Sequence, residues 1–135
     1  MPATLERVRE WLASADDDPK HAYRWWASTG SVYLPVGRSW NIVRTSVPLG
    51  VRVARRVPGP VIMDPAQDQA LFMVGLSDTA SASWPDAVEY VREGYAAIPS
   101  PHLVTAPGLH WYRPPVAGQL VGFAALHRAL AEVSG

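Results

Sequence analysis

Leu5, Val8 and Leu12 recur at helical spacing with Trp11 beside them, and Thr4 stands where an N-cap belongs, so the chain opens with an amphipathic helix. Asp16-Asp17-Asp18-Pro19 ends that pattern. Asp18 then caps a second short helix, with Pro19 in its first turn, Ala22, Trp25 and Trp26 directed inward and Gly30 as its stop. From Ser31 the pattern changes. Ser31–Leu34 and the β-branched run Trp40–Thr45 read as strands around a Pro35–Arg38 loop. Ser46 before Val47-Pro48 starts a third helix with Val47, Val51, Ala54 and Val57 on one face, closed by Pro58-Gly59-Pro60. Val61–Met63 and Leu71–Leu76 form a hairpin whose turn is Pro65–Gln69. Ser83, Trp84, Pro85 and Asp86 have the spacing of a helix start, with Trp84, Val88 and Val91 inward and Gly94 as the stop. Three short extended pieces follow, Tyr95–Ile98, His102–Thr105 and His110–Arg113. A last helix, from Gln119, carries Leu120, Phe123, His127 and Leu130 at 3–4 spacing.

The order α-α-β-β-α-β-β-α-β-β-β-α predicts an α+β fold with a mostly antiparallel sheet. With 135 residues, no internal repeat and no linker, the expectation is one domain over 1–135, made of a helical segment 1–30, a sheet core 31–115 and a C-terminal helix 116–135. Apolar residues at 48% and charged residues at 18% argue against disorder. The 13 prolines predict short elements joined by many loops. The absence of cysteine excludes a disulfide framework, thiol catalysis and a thiolate metal site. No apolar run approaches the ~20 residues of a membrane span. The charged stretch that follows Met1 is no signal peptide, so a cytoplasmic protein without membrane contact is expected.

Formal charge sums to zero but is unevenly spread. Residues 1–18 are net −3, residues 64–93 net −5, and residues 19–63 carry Lys20, Arg24, Arg38, Arg44, Arg52, Arg55 and Arg56 with no acid at all. Two readings are open: a basic face that attracts phosphates, or blocks of opposite sign that pair across the fold. Aromatic residues interleave with the basic block at Tyr23, Trp25, Trp26, Tyr33 and Trp40. Cationic grooves with aromatic platforms are the chemistry of single-strand binders, while Trp and Tyr are also the usual anchors of protein interfaces.

Catalytic signatures are scarce. Neither phosphate-binding glycine pattern occurs, nor GxSxG, nor HExxH. His21, His102, His110 and His127 lack metal-ligand spacing, although His102 and His110 are placed to face each other on adjacent extended pieces. Asp64 ends an apolar strand, where metal-binding acids often sit, but Ile62 stands where an alternating second acid is needed. A turn-starting Asp before Pro65 is the simpler reading.

The phrases LPVGRSWNIVR at 34–44, GPVIM at 59–63, LFMVG at 71–75, AIPSP at 97–101 and HWYRPP at 110–115 resemble short actinobacterial proteins similar to the N-terminal domain of bifunctional DNA primase/polymerases. The resemblance implies a primase–polymerase-type α+β sheet domain. It also implies strand carboxylates, metal ions and a phosphate-contacting histidine in active members. Here that carboxylate set is reduced to Asp64, the histidine to His102 or His110, and Glu132 on the last helix is the one acid in the final forty residues. The resulting expectation is a degenerate, non-catalytic domain that needs no cofactor or metal. It binds nucleic acid or nucleotide through Arg24, Arg38, Trp40, Arg44, Arg52, Arg55 and Arg56, with His102 and His110 as further ligand contacts. The alternative is a protein-interaction or regulatory module, homodimeric or bound to another protein, that uses exposed tryptophans. A third reading is an active metal-dependent nucleotidyltransferase whose carboxylates, Asp64 if any among them, the sequence pattern does not reveal.

Overall fold

The computed structural model of the chain describes residues 2–76 and 83–134. Helix α1 (Pro2–Ala13) begins ahead of the expected cap, so Thr4 lies inside it, and it buries Val8 and Leu12 while leaving Leu5 exposed. Helix α2 (Pro19–Thr29) is fixed at both ends by local chemistry. The Asp18 carboxylate accepts the Lys20 N–H, Pro19 occupies the first turn, and Gly30 leaves the helix at φ 86°. Strands β1 (Ser31–Pro35) and β2 (Asn41–Thr45) follow. Ser46 then caps α3 (Val47–Ala54) by accepting the Leu49 N–H, as its sequence predicts. The hairpin is also as expected: β3 (Val61–Asp64), a 3-10 turn at Pro65–Gln67, and β4 (Gln69–Val74).

Two expected elements are corrected. Residues 84–93 do not form a helix: Pro85 to Val88 make a turn, with Ala87 at φ 68°, and Glu89–Val91 is a short strand, β5. The free edge of β2 outcompetes local helix formation there, pairing Val43 with Tyr90 and Arg44 with Glu89. Residues 102–105 are not extended into a strand; they belong to the loop between β6 (Tyr95–Pro99) and β7 (His110–Arg113). The last helix, α4 (Phe123–Ser134), starts after Leu120.

All pairings between these strands are antiparallel, so the α+β class with antiparallel sheets holds. Five strands order as β5-β2-β4-β3-β7, and β1 with β6 forms a separate two-stranded sheet. Alternation along the central strands sends side chains to two cores. Ile42, Ile62, Leu71, Met73 and Trp111 point to a front core shared with α1, α2 and the β1–β6 sheet. Val43, Val61, Met63, Ala70, Phe72 and Val74 point to a rear core shared with α3 and α4. The rear contact is close. A Cβ added at Gly50 would lie 2.3 Å from the Ala70 Cβ, so only glycine lets α3 approach β4 this far.

A bulge between β3 and β7 opposes Val61 to Arg113 and Ile62 to Trp111, leaving Tyr112 as the extra residue. The Trp111 ring therefore enters the front core, while Arg113 turns to the rear and donates to the carbonyls of Ala54, Val57 and Gly59 at the end of α3. Among the described residues no helix is long and apolar enough to cross a membrane.

Candidate functional site

The basic, aromatic segment 20–56 does not form one face, because the chain passes from the front of the five-stranded sheet to its rear within that stretch. Residues 20–35 build α2 and β1 in front, β2 lies in the sheet, and α3 packs behind. In front, the arginines face acids. Arg24 lies 3.7 Å from Asp18, Arg38 donates to Asp17 and to the Ala15 carbonyl, and Arg44 reaches Glu89 at 2.8 Å across the β2–β5 ladder. Pairing between blocks, one of the two readings of the charge pattern, describes these three residues. Asp78, a member of the 64–93 acidic block, lies outside the described residues. Behind the sheet Arg52, Arg55 and Arg56 are exposed, and only Arg56 has an acid partner among the described residues, Glu132 at 3.6 Å.

Trp40 is corrected as a stacking platform. Its ring is 0% exposed, packed 5.5 Å from Trp11 in the front core, and no base outside the protein can reach it. His102 and His110 do not converge. His102 is exposed, 2.8 Å from the Ser100 hydroxyl, whereas His110 is buried and its Nδ1–H donates to the Gly108 carbonyl. Asp64 ends β3 opposite Gln69 and leads into the 3-10 turn at Pro65, the position of a turn starter. Among the described residues no three His, Asp or Glu side chains gather where they could hold a metal ion.

What the sequence missed is a face of exposed rings. Trp25, expected inward, is 48% exposed, because Ala22 and Trp26 take the buried side of α2 and Trp26 Nε1–H donates to the Ile98 carbonyl. On the adjoining sheet Tyr33 pairs with Ala97 and Pro35 with Tyr95. Strand alternation puts both tyrosines on the solvent side, at diagonal positions ~7–8 Å apart. They are 69% and 68% exposed. Beneath Trp25 and Tyr33 a cavity of about 220 Å³ is lined also by His21, Thr29, Ser31 and Val32. Two of its polar groups are engaged within the protein: His21 Nδ1–H donates to Asp16 at 2.6 Å, and the Thr29 hydroxyl lies within bonding distance of the Trp25 and Ser31 carbonyls. Alternation along β1 (buried Val32 and Leu34 around exposed Tyr33) was the one signal in the sequence that pointed to this face.

No family model, curated protein or solved structure matches the chain.

Proposed function

We propose that the protein is a non-catalytic binding module that docks a protein partner, a second copy of the chain, on the face made by Trp25, Tyr33 and Tyr95. The observation that carries this reading is the exposure of three large rings on one face, two of which, Trp25 and Tyr33, line a mostly apolar cavity. Contiguous exposed apolar surface marks interaction sites, and Trp and Tyr supply most of the binding energy where they are buried by a partner. Stacking of a nucleic-acid strand on the same rings is less favoured, because it needs free cations alongside them. Arg24 and Arg38, near Trp25 and Tyr33 in sequence, face Asp18 and Asp17.

The primase–polymerase resemblance enters this proposal as scaffold only. Two-metal phosphoryl transfer needs converging carboxylates that together hold two ions ~3.5–4 Å apart. Asp64 has Gln69 opposite it and Ile62 two residues before it on β3, so no neighbouring strand position supplies the second acid.

Sedimentation across a wide concentration range tests the reading. The unmodified protein is expected to self-associate, and Trp25→Ala combined with Tyr33→Ala to be monomeric with an unchanged unfolding transition. A monomer at every concentration, or association that survives the double change, contradicts docking through this face.

A further inference from the structure

Behind the sheet, α3 and α4 leave a groove of about 370 Å³ lined by Arg56, Val57, Ala125, Arg128, Ala129 and Glu132. The four α4 residues fall at i, i+3, i+4 and i+7, a single helical stripe. Their alternation of small and long side chains opens the groove between the guanidiniums. Arg52 and Arg55, exposed four and one residues before Arg56, lie outside the groove lining and add positive charge to the same end of α3. Among the described residues the only acid paired with any of these four arginines is Glu132, 3.6 Å from Arg56, both half-exposed. In the groove itself two guanidiniums, Arg56 and Arg128, stand against the one carboxylate of Glu132, which leaves an excess of positive charge there.

The end of α3 would ordinarily oppose an anion, since its last carbonyls form the negative pole of the helix. Here Arg113 donates to the Ala54 carbonyl at that end and to the Val57 and Gly59 carbonyls in the segment after it, which places a cation at the pole. The groove floor, Val57 and Ala129, adds no acceptor. The rings on this side, Trp84, Tyr90 and Phe123, pack tilted and edge-to-face on one another with centroids 5.3–5.5 Å apart and are not among the residues that line the groove.

From this arrangement we infer that the α3–α4 groove binds a compact oligophosphate, the chain of two or three phosphates that a nucleotide carries, between Arg56 and Arg128. Guanidinium forks match phosphate oxygens in bidentate geometry, and Glu132 occupies the anion position on Arg56 until the phosphate displaces it. The site is separate from the aromatic face and does not depend on it.

Calorimetric titration with inorganic triphosphate, without divalent ions, tests the inference. Binding is expected to weaken steeply with added salt, and Arg56→Ala or Arg128→Ala to weaken it about tenfold. Glu132→Gln is expected to tighten binding several-fold, a sign that general loss of structure does not produce. Arg7→Ala, an exposed change on α1, serves as the control and is expected to have no effect. An equal loss from Arg7→Ala, no loss from Arg128→Ala, or weaker binding by Glu132→Gln overturns the site. A single-stranded oligonucleotide that binds through the same arginines more tightly than triphosphate overturns the compact ligand in favour of a polymer.

Discussion

In front of the five-stranded sheet, Arg24, Arg38 and Arg44 face carboxylates and three rings reach solvent. Behind it rings pack together and, among the described residues, only Arg56 of the exposed arginines on α3, the turn after it and α4 has an acid beside it. Arg24, Arg38 and Arg44 face Asp18, Asp17 and Glu89 in front, while Trp25, Tyr33 and Tyr95 are exposed there. At the rear Trp84, Tyr90, Phe123 and His127 cluster with ring centroids about 5 Å apart, and Arg52, Arg55 and Arg128 have no acid partner among the described residues. Both sides carry rings and arginines, and what differs is which residue type is left exposed or without an acid. An exposed ring is completed by another apolar surface, an unneutralised guanidinium by an anion. The comparison teaches that a basic, aromatic stretch of sequence is no single site when a sheet runs through it.

Substitutions that remove what each side has already satisfied break the comparison most strongly. Trp40→Ala empties the front core of a fully buried ring and should cost about 3–5 kcal/mol in chemical denaturation. A loss under ~1 kcal/mol would place Trp40 outside the core, back among the ligand contacts. Arg113→Ala strips three carbonyls at the end of α3 of their donor and should cost about 2–3 kcal/mol. Arg113→Lys should recover little of that, since an ammonium lacks the fork. A neutral effect in both variants would mean that the α3 end needs no cap from β7.

Trp84→Ala opens the rear cluster, where the ring meets Tyr90, Phe123 and His127 but is only partly buried. About 2 kcal/mol is expected from that half-buried ring, less than for Trp40. Equal losses for the two would erase the distinction between core and rim. Trp25→Ala should change stability by less than ~0.5 kcal/mol, although its neighbour Trp26 is buried. A larger loss would return Trp25 to the structural rings and leave the aromatic face without its helix-borne member.

The elements that were legible in the sequence are those fixed by neighbours along the chain. Asp18-Pro19 and Gly30 bound α2, Ser46 and Pro48 start α3, and the Pro65–Gln69 turn closes the 61–74 hairpin, all through contacts within a few residues. The stretch 84–93 carries helical spacing at Trp84, Val88 and Val91, yet β5 sends Tyr90 to the rear core and Val91 to the front. The deciding partner, the edge of β2, is more than forty residues away. Trp25 and Trp26 are adjacent on one helix, and only the position of the β1–β6 sheet decides which of them is covered. The charge pattern located the arginines along the chain, but their sides of the sheet follow from tertiary topology. The groove added Arg128, seventy-two residues beyond Arg56, which no local pattern joins to it.

The central claim is that the two surfaces are independent, and crossing the variants tests it most directly. Self-association and triphosphate affinity should be measured side by side in Trp25→Ala, Arg128→Ala and the double variant. The account predicts that Trp25→Ala loses association and keeps triphosphate binding, that Arg128→Ala does the reverse, and that the double variant shows both losses in simple addition. If either single change weakens both interactions, or the two effects fail to add, one continuous site uses rings and arginines together and the division by the sheet is wrong.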